Sequence, residues 1–116
     1  TLVVQAGLDF IASRMKDTTA DVMSHMGIGT GSSAAASSDT TLGTEAARQA
    51  LTSTTVNNNA VSYVASFAAG TGTGAITEAG VLNAASGGTL LCRTVFSVVN
   101  KGASDSMTIT WTITIS

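Results

Sequence analysis

Few side chains in this sequence could carry out chemistry, and its 116 residues include one histidine and one cysteine. Two glycine-rich phrases come first, "GIGTGSS" from Gly27 and "GTGTGAITEAG" from Gly70 to Gly80. Backbone amides in such loops can cradle a phosphate, but a P-loop needs a lysine after its last glycine and neither phrase has one. The dinucleotide fingerprint needs its third glycine two residues further on, at the start of a helix, and "GTGTG" does not match it. The glycines are therefore expected to serve turns and bulges where a side chain would clash. A zinc centre takes three or four nitrogen or sulfur ligands, more than one His and one Cys can supply. A Cys92–His25 nucleophile pair is formally available. Alternation along "TLLCRTVFSVV", however, puts Cys92 on a face with Leu90, Phe96 and Val98, where a thiol is buried and inert. A serine nucleophile would need His25 as its base, and nothing in the pattern marks one. No catalytic, cofactor-binding or metal-ligating residue is nominated, and no cofactor is expected.

The carboxylates are thinly spread. Glu78 stands alone between Ile76 and Val81 in a neutral, apolar segment. Burying it unpaired would be costly, so it is expected to have a partner, and Arg93 on the following strand is the candidate. In "TEAAR" a helical turn would make Glu45 and Arg48 neighbours at i, i+3. Glu78 with Arg93 is read as a structural ion pair and not as a general acid.

The elements that must position these groups follow from periodicity. Val4, Leu8, Ile11 and Met15 form one stripe of a 3.6-residue period, predicting a helix over residues 1–17 with Arg14 and Lys16 in its last turn. Asp17, Thr18 and Thr19 break that pattern. "DVMSHMGIGT" alternates as a strand buried on both faces or nearly so. Residues 31–44 are low in complexity and long for a loop, which suggests a segment that touches a partner; a disordered loop is the alternative. "ALTSTTV" and "AVSYVASFA" form a hairpin about Asn57, Asn58 and Asn59, with Val61, Tyr63, Ala65 and Phe67 on one face. A strand from Ala75 to Leu82 ends in a turn through Asn83 to Gly88, and "TLLCRTVFSVV" follows with Leu91, Arg93 and Val95 opposite the Cys92 face. "SMTITWTITIS" alternates apolar residues strictly with threonine. One helix and six or seven strands predict a mainly β, antiparallel β-sandwich of jelly-roll-like form, one domain over residues 1–116.

Composition narrows the function classes. The chain is 44% hydrophobic but only 10% charged and 4% aromatic, against about a quarter charged in ordinary soluble domains. So few charges suggest a surface partly covered in use. A net charge of −2 with five scattered Lys and Arg argues against nucleic acid. A single cysteine is compatible with a reducing cytoplasm. No apolar run approaches the ~20 residues of a membrane span, and the first residues do not read as a signal peptide.

Taken in order, "AGLDFIA", "GIGTG", "LGTE…R", "ITEAG", "GG…RTVF" and the terminal alternating strand resemble small tailed-bacteriophage virion proteins. These are related to the N-terminal domain of phage tail-collar and tail-fibre proteins. The resemblance covers nearly the whole chain. It implies a non-enzymatic virion building block in which Glu45, Arg48, Glu78 and Arg93 fix conformation. Fibre proteins continue into long receptor-binding regions, whereas this chain stops after the domain. That favours a capsid cement or decoration protein, bridging major capsid protein subunits as a dimer or trimer and assembled in the host bacterial cytoplasm. The N-terminal helix and residues 31–44 would touch neighbours, although the helix could equally cap the core. A tail fibre or tail-adaptor attachment domain is the alternative. A lectin-like module would have only Tyr63 and Trp111 to stack on a sugar, and Trp111 looks inward.

Overall fold

A computed structural model describes residues 2–16 and 21–115. Eight strands and one helix are present among them: β1 (Leu2–Val3), α1 (Gln5–Lys16), β2 (His25–Gly29), β3 (Glu45–Ala50), β4 (Ser53–Asn57), β5 (Ala60–Phe67), β6 (Gly74–Leu82), β7 (Leu90–Lys101) and β8 (Met107–Thr114). They form two antiparallel sheets, a five-stranded one in the order β1-β7-β6-β2-β3 and a three-stranded one in the order β4-β5-β8. The mainly β, two-sheet architecture is the expected one. The strand count is higher because Leu2–Val3 pairs with β7 and because "TEAAR" is extended.

The three-stranded sheet follows its sequence pattern closely. Asn57 pairs with Ala60, so the hairpin turns on Asn58 and Asn59, and Asn58 takes a left-handed φ of 56°. Asn59 then donates its side-chain amide to the carbonyl of Ile115 at 2.8 Å. Along β5 and β8 the register runs unbroken from Ala60↔Thr114 to Phe67↔Met107. Tyr63, Ala65, Phe67, Trp111 and Ile113 are buried on the inner face. On the outer face Ser62 bonds Thr112 at 2.9 Å and Ser66 bonds Thr108 at 3.0 Å, so the hydroxyls support the pairing while remaining wet.

Facing that sheet, Met26, Ile28, Ile76, Ala79, Val81, Leu91 and Cys92 complete the core. Full burial of a side chain such as Phe67, Met26 or Ile28 contributes about 1.5–3 kcal/mol. The far side of the five-stranded sheet is also covered, as β2 anticipated: Leu42 from the long loop lies over Gly27 and Gly80, beside Leu90. A small second cluster of Val4, Leu82 and Leu90 sits there.

Three expectations are corrected. The helix begins at Gln5, and only half of its apolar stripe turns inward: Val4, just before it, is buried and Ile11 packs against the core, but Leu8 is 49% exposed and Met15 84%. Gly7 is its buried residue, because a Cβ there would strike the Leu91 carbonyl. The helix thus approaches β7 through the residue without a side chain, a packing mode that hydrophobic periodicity cannot register. The expected end of the helix at Asp17 and the break at Thr18 and Thr19 lie outside the described residues. Second, Glu45–Ala50 is a strand and not a helical turn. Third, simple alternation fails at the start of β7. Val81 pairs with Cys92 but Leu82 pairs with Leu90, so the register shifts by one residue. Leu91 and Cys92 both join the main core, while Leu90 turns to the opposite face.

Candidate functional site

The polar centre of the molecule is built on β6 and β7. Gly80 pairs with Arg93 and Glu78 with Val95, which places Glu78 and Arg93 diagonally on the sheet face remote from the three-stranded sheet. A second register shift, from Ile76↔Val99 to Glu78↔Val95, places the extra residues on β7 and leaves Thr77 without a single register partner. Its hydroxyl donates to the Gly31 carbonyl at 2.7 Å. Both charged side chains are buried, Glu78 at 0% exposure and Arg93 at 2%.

Every lone-pair direction of the Glu78 carboxylate is used. Oε2 accepts the amides of Gly31 and Thr44, each at 2.7 Å. Oε1 accepts the Gly43 amide at 2.7 Å and Arg93 Nε at 2.9 Å. Burial alone would raise this carboxyl, but the amides of Thr44 and Gly43, the Arg93 guanidinium and the Gly31 amide together hold it below the usual range. Arg93 spends its other nitrogens on Asp39 Oδ2 and the Ser33 carbonyl, both at 3.0 Å. The same Asp39 oxygen accepts the Ala36 amide at 2.9 Å, closing a tight turn within the loop.

An anion cradle therefore does exist at the "GIGTG" phrase, and the anion in it is the protein's own carboxylate. Gly31 must be glycine because a Cβ there would run into the Glu78 carboxylate, and Gly43 has Gly31 Cα and Arg93 Nη2 each 3.3 Å from where its Cβ would lie. The later phrase works differently. Gly70, Gly72 and Gly74 have φ of 84°, 69° and 141°, and they turn the chain into β6.

Glu45 and Arg48 also meet. Residues three apart on a strand normally point to opposite faces, but the register between β2 and β3 shifts at Ile28/Gly29, and the extra residue brings them to one side. Arg48 bonds both Glu45 oxygens, at 2.8 and 2.6 Å, and reaches the carbonyls of Ala84 and Gly87 at 3.0 and 2.8 Å. It ties the edge strand to the β6–β7 turn.

Sequence reasoning named four of the polar residues that matter and missed three. Asp39, Thr77 and Lys101 have no periodic or compositional mark: folding brings Arg93 and the Ala36 amide to Asp39, and backbone carbonyls to Thr77 and Lys101. Lys101, only 3% exposed, donates to the carbonyls of Ala68 and Asp105, both at 2.8 Å. His25 and Cys92 lie on opposite faces of the five-stranded sheet, because Met26 and Val81 share the Cys92 face and His25 is one residue out of step. His25 Nδ1 bonds the Ser24 hydroxyl at 2.8 Å. Burial pushes the Cys92 thiol up to about 12. Among the described residues no three His, Cys, Asp or Glu side chains gather as metal ligands.

Two hollows flank the core. One, of about 510 Å³, runs between α1 and the end of the three-stranded sheet, with Phe10, Ile11, Met15, Val22, Val56 and Ile113 on its walls. Met15, Val22, Val56 and Ile115 around it are half or more exposed. The other, of about 350 Å³, lies where β7 and β8 diverge. Among known proteins, no family model matches this chain and no curated protein does.

Proposed function

We propose that this chain is a non-enzymatic structural protein of a tailed-phage virion, a capsid cement or decoration protein that binds major capsid protein and further copies of itself. The observation that carries the reading is the apolar surface around the hollow beside α1. Met15 at 84% exposure, Val56 at 69%, Val22 at 57% and Ile115 at 50% form a wet apolar rim on a protein with very few charges. Contiguous exposed apolar surface of this kind marks an interaction site. The polar centre supports the same reading from the other side. Glu78 and Arg93 hold residues 31–44 in one path over the sheet, so the loop presents a preorganised face of Ser, Thr, Ala and Gly to a neighbour. A lattice protein gains from that arrangement, because each contact is weak but repeated and loses little entropy on binding.

The test is copy number and binding in purified particles. A cement protein occurs at a copy number near that of the major capsid protein and sediments with isolated shells. A Val56→Lys variant, altered only at an exposed strand position, should fold normally and lose much of that association. A few copies per particle, located at the tail, would overturn the cement reading in favour of a tail fibre or adaptor attachment domain.

A further inference from the structure

We infer that β8 is a self-pairing edge, at which a second copy of this chain adds its own β8 antiparallel to form one continuous six-stranded sheet. The inference stands apart from the virion reading, since it rests on the open β8 edge and its immediate surroundings. β8 ends its sheet, with β5 on one side and no strand on the other among the described residues. Natural edges are blunted by lysine, proline, bulges or shortness. Over Met107–Thr114 there is no charge and no proline, and the register with β5 has no shift across all eight residues. The other edges are guarded or unproductive. β3 carries Glu45, Arg48 and a bulge, and β1 has two residues. β4 has five, exposed on both faces, so a strand added there would bury little.

Beside β8 the second sheet is open as well. β7 pairs with β1 at Cys92 and Arg93, and from Thr94 onward no strand lies on its outer edge among the described residues. Val98 and Val99 on that stretch are 55% and 44% exposed. Between the two open edges lies the hollow of about 350 Å³ walled by Ala79, Thr94, Phe96, Val99, Ile109 and Trp111. The Trp111 indole N–H is buried with no acceptor, a cost that is relieved if the indole turns toward an incoming strand.

A second copy fits this edge better than an unrelated peptide because the pattern matches itself. Facing residues of an antiparallel pair point to the same side, so apolar must meet apolar and threonine must meet threonine. That condition puts the two-fold axis through a residue, Thr110 or Trp111, and never between residues. Either register sets the Thr108, Thr110 and Thr112 hydroxyls of one copy among those of the other, continuing the Ser62–Thr112 and Ser66–Thr108 ladder outward. With no charge on the strand, the two copies do not repel.

Sedimentation of the chain at rising concentration, with two variants, tests this. Thr110 is exposed on the outer face, so Thr110→Lys and Thr110→Glu should keep the native circular dichroism spectrum and melting behaviour. The expected result is a dimer for the unaltered chain and, for each variant alone, self-association weakened about tenfold or more by like charges that meet at the two-fold axis or diagonally beside it. An equimolar mixture of the two variants should recover the dimer. A chain that stays monomeric up to its solubility limit overturns the inference. So do variants that dimerise as the unaltered chain does, or a mixture that fails to recover. A monomer that still sediments with capsid shells removes the β8 pairing and leaves the cement reading standing, so the two fail separately.

Discussion

Replacing Glu78 by glutamine is the sharpest perturbation available, because it keeps shape and removes only charge and one acceptor. In the native protein each carboxylate oxygen accepts two donors. A glutamine has one oxygen, so whichever way it is turned, its NH2 group faces two N–H donors. Two buried hydrogen bonds to a charged acceptor are lost, at about 1.5–3 kcal/mol each. Arg93, 2% exposed, keeps only Asp39 as counter-charge. Removing one partner of a buried pair costs about 3–5 kcal/mol, so about 4 kcal/mol is expected for Glu78→Gln. That is a large part of a typical stability of about 5–15 kcal/mol. The melting midpoint should fall by about 16 °C, at about 4 °C per kcal/mol for a chain of this size. Urea unfolding followed by the fluorescence of Trp111 measures the loss, and amide exchange at Gly31, Gly43 and Thr44 locates it. Arg93→Met should cost a similar amount, and the double variant less than the sum, with a coupling of about 1 kcal/mol or more. A loss under about 0.5 kcal/mol with unchanged exchange at the three amides would refute the account, since solvated pairs have that small value.

Three further outcomes follow from the same geometry. Because the folded Glu78 carboxyl lies below its ordinary value of 4.5, its stabilisation is complete above that pH and is lost as pH falls through the folded value; acid unfolding of the Glu78→Gln variant should lack that limb, and an identical acid profile for both proteins would contradict it. With its thiol pushed up to about 12, Cys92 should resist a thiol reagent at pH 8 in the native protein and react at once in denaturant; rapid native labelling would show that β7 opens. Gly31→Ala should be more damaging than Gly70→Ala. The first drives a methyl into the buried carboxylate and costs about 1–3 kcal/mol plus the disturbed hydrogen bonds, while the second meets nothing within 4 Å and costs only the strain of a φ of 84°, about 1 kcal/mol. Thermal melts that rank them the other way would mean that the cradle is soft.

The features legible in the residues are those that local geometry dictates. Strict alternation of apolar residues with threonine in β8 leaves one way to bury it, and three asparagines between β-prone runs mark a hairpin, though not which two of them make its turn. An isolated glutamate in an apolar stretch demands a cation, and Arg93 on the next strand is within reach. These are period-two patterns and near-neighbour requirements, and they survive folding unchanged. The rest depends on contacts between segments far apart in the chain. The backbone donors to Glu78 come from 34, 35 and 47 residues away, and nothing in "SSAAASSDTT" announces that Asp39 will brace an arginine. Single-residue register shifts put Leu90 on the face opposite to the one alternation assigns it, and let Glu45 meet Arg48 on a strand instead of a helix. Gly7, invisible to any hydrophobic count, is where the helix comes closest to the sheet, because backbone against backbone is the closest approach a chain can make.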